Sequence, residues 1–292
     1  MHAAQDGGRR VADVLALADP RVRDSLRSVW VQDIPCIEVT TPDPFQLVLS
    51  TRFGGVSRDG YAGLNLSYWV GDNPRLVDRN HQQLAVALDL PEESITLPWQ
   101  VHGTEVLELD ECRRRGERVP CDGLVLRAGR DRGLSAHMLS GDCLTVGMVG
   151  GSTCALIHAG WRGLVAGIVG RGVEVMGGDE PKWVFLAPAI GPCCYEVGED
   201  VAGCVEERFG PAVVVRPVSA SKPRLDLWEC AALALEGAGV SRERVLNPRL
   251  CTMCHHDVFY SHRADGPKTG RHTALVWIAA EESKEEWSYL SK

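Results

Sequence analysis

Apolar residues in this chain come mostly in short runs cut by Gly, Pro, Asp and Asn, the pattern of strands joined by turns. Residues 45–51 (FQLVLST) are β-like and empty into Arg52-Phe53-Gly54-Gly55-Val56-Ser57, whose paired glycines permit positive φ and close backbone approach. Asp72-Asn73-Pro74 then supplies a cap and a first-turn proline. Leu76, Val77, Asn80, Leu84 and Leu88 follow at helical spacing, which predicts a helix near 74–88. In the middle of the chain, 95–99, 104–109, 134–138, 144–149 and 153–158 read mostly as strands, and 183–186, 213–216 and 273–278 continue the pattern. Helices are expected near 198–209 and 225–237. After His158, Leu164, Val165, Ile168, Val169 and Val173 mark one face of a helix, yet five glycines lie between 160 and 172. Each interior Gly costs roughly 1 kcal/mol against Ala, so this density predicts close packing against a sheet or a ligand. Residues 1–30 carry only a weak apolar stripe, Leu15, Leu17 and Val22 around Pro20, and predict an extra helical or loose segment without assigned chemistry. With no repeat or convincing linker, one compact α/β or α+β unit is the economical interpretation.

Composition narrows the function classes. The chain has 292 residues, 45% of them hydrophobic and 24% charged, as expected of a globular protein with ample core. A net charge of -8 and a pI near 5.6 argue against a broad nucleic-acid footprint but allow a small anionic substrate. No apolar run is long enough for a membrane span, and Asp13 and Asp19 interrupt the one candidate signal segment, so a cytoplasmic protein is expected. In a reducing compartment, eleven scattered cysteines point to buried thiols and metal ligands rather than a disulfide framework.

Three residues each end a β-like run at a turn: His102 in WQVHG, Cys143 in SGDC and His158 in LIHAG. A thiolate with two imidazoles is a ligand set for catalytic zinc, leaving a fourth position open. Separations of 41 and 15 residues match no compact zinc signature, so two satisfied histidines and a buried thiol are the other interpretation. Cys251-Thr252-Met253-Cys254-His255 has the form of a c-type haem attachment motif. Haem attachment needs export, and one C-x-x-C without a second pair is a weak zinc signal, so neither is expected there. Cys193-Cys194 reads as a tight turn rather than a redox pair. Arg52 and Arg263 lie in loop-like sequence where guanidinium groups could clamp a phosphate or make surface salt bridges. Asn65 could bind a ligand or close a turn.

Taken in order, TRFGGVS at 51–57, GLNLS at 63–67, WQVHG at 99–103, CDGLV at 121–125, GDC at 141–143, IHAGWRG at 157–163, APAIGPCCYEVG at 187–198 and CTMCHHDVFYSHRADGPKTGR at 251–271 resemble the YfiH-like family. That family is also called laccase-domain, polyphenol oxidase or peptidoglycan editing factor. The resemblance covers about 51–278 and implies residues 1–35 as an N-terminal extension before a CNF/YfiH-like catalytic domain at 36–292. It implies an α+β fold, with mixed sheets packed together and helices outside. His102, Cys143 and His158 correspond to the family's metal ligands, usually zinc, with copper possible on the same donors. Cys143, His158, Arg52 and Arg263 are the implied catalytic residues, and Arg52, Asn65, Asp142 and Arg263 the implied substrate contacts. Gly141 stands where Ala is common before Asp-Cys, a change expected to leave the ligand undisturbed. The implied activity is phosphorolysis of adenosine, inosine and methylthioadenosine, together with adenosine deamination. The partners are then a purine nucleoside and phosphate. Gly160–Gly163, opening a helix, could add N–H donors for an anion.

Two other classes stay in view. A multicopper oxidase would need most of the nine histidines, and no His-x-His pair occurs. A cysteine hydrolase would use Cys143 as nucleophile and His158 as base, and the same atoms cannot easily serve a metal as well.

Overall fold

The computed structural model describes residues 2–217 and 222–279. Its frame is a pair of six-stranded sheets. The first runs Leu26–Val31, Ile34–Val39, Phe45–Ser50, His272–Ile278, Ser135–Ser140, Ile95–Thr96. The second runs Val245–Leu246, Trp183–Leu186, Leu144–Val149, Thr153–Ala159, Gly123–Arg127, Val106–Glu108. Most neighbours are antiparallel, while Ile95–Thr96, Val106–Glu108 and Val245–Leu246 each join a parallel partner, so both sheets are mixed. The fold class is α+β, with packed mixed sheets and flanking helices.

Three apolar layers hold the frame. Leu47, Phe45, Met138 and Val276 of the first sheet meet Leu124, Leu126, Leu156 and Phe185 of the second in one continuous core. On the outer face of the second sheet, Val146, Met148, Ile157 and Val184 pack against Leu164, Ile168, Leu227 and Leu235 from helices. Outside the first sheet, Cys36, Val48 and Leu275 pack against Leu84 and Leu88 of the helix at Pro74–Ala87 and its end. Central strands are thus covered on both sides. Ser135–Ser140, Leu144–Val149, Thr153–Ala159 and His272–Ile278 are buried at every position, which explains their runs without apolar–polar alternation.

Local chemistry starts the helices where expected. Asn73 accepts a hydrogen bond from Arg75 N–H and Pro74 occupies the first turn. The strand at Trp183–Leu186 and the helices Glu199–Phe209 and Leu227–Gly237 fall at the predicted positions. The helix expected after His158 is instead two, Trp161–Ala166 and Ile168–Val175, broken at Gly167 with φ of 92°. Five strands, Leu26–Val31, Ile34–Val39, Gly123–Arg127 and the two-residue Arg224–Leu225 and Val245–Leu246, were not anticipated. Leu26–Val31 is an edge strand with half-exposed sides, and Ile34–Val39 carries Pro35, so neither shows a strand's usual pattern. Gly123 opens the third because a Cβ there would lie 2.6 Å from Ile157 Cδ1.

Asn80, counted in the apolar stripe by its spacing, is fully buried and polar in function. Its Oδ1 accepts from Val56 N–H at 2.7 Å, and its Nδ2 donates to Ser57 Oγ at 2.9 Å and Asn65 O at 2.8 Å. The helix thereby holds the glycine loop, and Gly55 sits so close that a Cβ would come 2.7 Å from Asn80 Oδ1. No helix among the described residues is long and apolar enough to cross a membrane.

Asn80→Leu should keep the helix but orphan Val56 N–H and Asn65 O. At about 1–3 kcal/mol per buried unsatisfied group, unfolding free energy should fall by at least about 2 kcal/mol. Denaturant titration checks this, and a midpoint unchanged from the parent protein would contradict the assignment.

Candidate metal centre and pocket

The site forms where the chain crosses between the sheets. Ser135–Ser140 belongs to the first sheet and Leu144–Val149 to the second, and only Gly141-Asp142-Cys143 joins them. Asp142 takes a φ of 115° in this sharp passage. In the second sheet Thr145 pairs with His158 and Leu144 with Ala159, so register alone carries His158 beside Cys143. His102 comes from a loop, with φ of 61°.

Asp122 sets that loop. Its carboxylate, fully buried, accepts from Val101 N–H at 3.2 Å, His102 N–H at 2.9 Å and Gly103 N–H at 2.7 Å. The same Oδ1 lies 2.8 Å from His158 Nδ1. Nδ1 therefore carries the proton toward the carboxylate, and Nε2 is left as the donor atom for a metal. Asp122 was overlooked as a site residue, although the signal stood in the CDGLV segment: a carboxylate directly before a strand that opens with glycine.

His102 Nε2 is 3.8 Å from Cys143 Sγ, and the two imidazole rings stand edge to face with centroids 4.8 Å apart. The ligand atoms of His102, Cys143 and His158 lie within 4.8 Å of one another. Tetrahedral zinc, with Zn–N of about 2.0–2.1 Å and Zn–S of about 2.3 Å, would separate N from S by about 3.5–3.6 Å, so the spacing fits. Gly160 completes the cradle, since a Cβ would come 3.1 Å from His102 Cδ2 and 3.3 Å from Cys143 Sγ. Burial pushes the Cys143 thiol up, but the two imidazoles outweigh it and bring it down to about 6. Burial pushes His158 down, but Asp122 and Cys143 hold it up at about 9. Burial also raises the Asp122 carboxyl, and hydrogen bonds from His158 and the loop N–H groups reverse that, leaving it below its ordinary value. The thiolate that a soft metal requires is thus favoured at neutral pH.

A cavity of about 410 Å³ opens over these atoms, walled by Trp69, Trp99, Tyr195, Arg263 and Arg271 among others. Arg263 Nη1 donates to Glu196 O at 2.7 Å and its guanidinium lies 5.2 Å from the Tyr195 ring centre. Arg271 was not singled out from the sequence. Its side chain reaches the cavity past Gly141, where a Cβ would meet Arg271 Cδ at 2.9 Å.

The other expected residues sit one step away. Asp142 lines the cavity, but its carboxylate accepts from Thr252 Oγ1, Ser261 Oγ and Arg263 N–H, each at 2.7 Å. Asn65 is fully buried and outside the cavity wall; its Oδ1 accepts from Arg271 N–H at 2.9 Å. Arg52 faces a neighbouring depression, bonded to His256 O and 3.3 Å from Asp265 Oδ2, with the Tyr260 ring 4.9 Å from its guanidinium. The helix opened by Gly160 is the short Trp161–Ala166 segment, and Gly163 lets it sit on the His102 loop, a Cβ there falling 3.2 Å from Gly103 O.

Known proteins share this arrangement of chain. The family described as multi-copper polyphenol oxidoreductase laccase matches residues 46–279. Purine nucleoside phosphorylase YfiH of Shigella flexneri is 34% identical over 233 residues, covering 78% of this chain and 92% of its own. A purine nucleoside phosphorylase of Xylella fastidiosa is 37% identical over 245 residues, covering 80% and 93%. The crystal structure of YlmD from Geobacillus stearothermophilus superposes with a TM-score of 0.76 at 30% identity, over 84% of this chain and 96% of that one.

Asp122→Asn would offer one oxygen where several donors now converge. Loss of such a buried partner typically weakens a metal site about 10–100-fold. Zinc competition against a chromophoric chelator should show that drop, and equal affinity in the folded variant would mean that Asp122 does not orient the cradle.

Proposed function

The chain belongs to the YfiH-like family, whose matching description is multi-copper polyphenol oxidoreductase laccase, and on that footing we propose that it is a zinc-dependent purine nucleoside phosphorylase that also deaminates adenosine. The observation that carries this proposal is a single cavity that joins a three-donor cradle, two guanidinium groups and an aromatic wall. The names of the relatives support phosphorolysis; deamination rests on the resemblance.

His102, Cys143 and His158 would hold the zinc ion, and three protein donors leave it the open position of a catalytic site. When bound, the ion supplies Lewis acidity to the cavity. Arg263 and Arg271 hold phosphate by charge-assisted hydrogen bonds and present it to the ribose C1′. There a C–O bond forms as the C–N bond to the purine breaks, and the purine departs with the electron pair. Tyr195, Trp69 and Trp99 give the flat base an apolar surface. Arg52, Asn65 and Asp142 serve as positioning residues. Arg52 grips Asp265 at the end of the short helix His262–Asp265 that carries Arg263, Asp142 caps Arg263 N–H, and Asn65 fixes Arg271 N–H. Adenosine, inosine and methylthioadenosine are the proposed substrates. Residues 36–292 form the catalytic unit in this proposal, and 1–35 an extension to it.

A cysteine hydrolase has one observation in its favour, the Cys143 thiol lowered to about 6 beside His158. His102 counts against it, because a third donor converging on the same point suits a metal better than a dyad. A multi-copper oxidase has less support: among the described residues, the trio is the one ligand cluster that contains imidazoles.

The test is a product analysis on zinc-loaded protein with and without phosphate. Free purine base should appear only with phosphate, and inosine should form from adenosine without it. The absence of both products would refute the proposed activity. Arg263→Ala or Arg271→Ala should depress phosphorolysis about tenfold to hundredfold, since a hydrogen bond to a charged group is worth about 1.5–3 kcal/mol. Deamination uses no phosphate and should suffer less, and Arg52→Ala should cost less than either. Equal losses in both reactions, with zinc content intact, would mean that the arginines hold the nucleoside instead.

A further inference from the structure

Folding brings together two cysteine pairs that lie far apart in sequence. Cys193 and Cys194 occupy one turn, Cys251 and Cys254 another, and the four sulfurs lie within 4.8 Å of one another. Cys254 Sγ is 3.6 Å from Cys193 Sγ and 3.4 Å from Cys194 Sγ. Four thiolates around one zinc ion, at about 2.3 Å each, would sit about 3.8 Å apart, close to these contacts. We propose that Cys193, Cys194, Cys251 and Cys254 bind a second metal ion, a tetrahedral zinc held by sulfur alone, separate from the catalytic trio.

The backbone is arranged for it. Gly191 O accepts from both Cys194 N–H and Tyr195 N–H, a turn tight enough that two consecutive cysteines reach the same Cys254 sulfur. Gly191 N–H itself donates to Cys251 Sγ at 3.3 Å, and an N–H directed at sulfur stabilises a thiolate ligand. Gly191 has no room for a side chain, since a Cβ would fall 2.9 Å from the Trp228 ring and 3.3 Å from Cys193 Sγ. Ala189 and Cys251 form a parallel bridge, in which Ala189 N–H donates to Leu250 O and Thr252 N–H to Ala189 O, so the segments bearing the pairs are already paired. All-sulfur donor sets select soft ions such as zinc.

Such a site has no open position, so its role is structural. It clips together the two segments that wall the cavity. Tyr195 stands next to Cys194, and His262 and Arg263 follow Cys254 on the other segment. The Arg263 Nη1 bond to Glu196 O crosses between the same two segments. A metal staple here would hold the anion-binding wall against the aromatic one. The proposal does not depend on the activity of the enzyme, because it concerns other ligands.

The experiment uses the full chain carrying His102→Ala and Cys143→Ala, which removes the first site, loaded with zinc under a phosphine reductant. About one zinc per chain should remain, with X-ray absorption showing a sulfur-only shell of four atoms. Adding Cys254→Ser should cut zinc content at least tenfold. Should that variant not fold, thiol alkylation of the parent protein read by mass spectrometry decides the matter. The exposed Cys193 and Cys254 should be protected with zinc and react after chelation, whereas Cys204, exposed and outside the cluster, should react in both states. Zinc-free protein after loading, a shell containing nitrogen or oxygen, or disulfides among the four thiols at a cytosol-like reducing potential would each overturn the proposal.

Discussion

The Asp122 carboxylate is the constraint on which the site depends. It lies fully buried at the start of a strand of the second sheet, and donors from both the His102 loop and His158 converge on it. Its own backbone carbonyl accepts from His158 N–H at 2.7 Å. One residue thus fixes a loop, a strand register and an imidazole tautomer together. In a buried setting such bonds are strong when made and costly when missing, so the arrangement holds as a unit or not at all.

Asp142 plays the matching part for the opposite wall. Its carboxylate gathers Thr252, Ser261 and Arg263 N–H, and through them the segment that carries the cavity-lining Arg263 side chain. Both assemblies include backbone strain. His102 and Asp142 adopt positive φ, which for residues other than glycine costs of order 1–3 kcal/mol each. The hydrogen bonds around the two buried aspartates offset that cost. Chain and sheets then present Cys143 at the passage between layers, where few other conformations would place a thiol between two imidazoles.

Two sulfur-containing clusters differ in kind. The trio mixes nitrogen and sulfur and faces a cavity, so a metal held there would keep one position open to a small molecule. The four thiols offer sulfur alone, and a metal held by all four would have no position left open. Their sequence signature was incomplete: C-x-x-C at 251–254 had no second pair at customary spacing, because the second pair is two adjacent residues on another turn. The bridge between Ala189 and Cys251 and the Gly191 N–H bond to Cys251 Sγ bring the pairs together.

Periodicity, turn chemistry and motif order determined much of this protein before folding is considered. Asn73 and Pro74 start a helix by satisfying its first N–H groups, and β-rich runs such as 144–149 form strands, because these choices depend on neighbours in the chain. His102, Cys143 and His158 stood out for the same reason, each at the end of an apolar run. What tertiary structure decided was reach. Arg52 and Asn65 look like ligand-binding residues in their motifs, yet their side chains bond to Asp265 and to Arg271 N–H, residues about two hundred positions away. Arg271 enters the cavity because Gly141 leaves space for it, and Asn80 turns from an apolar-stripe position into a buried clasp because the glycine loop lies against it. Those outcomes follow from contacts between distant segments, whose distances and burial are set by sheet packing and leave no local trace in the order of residues.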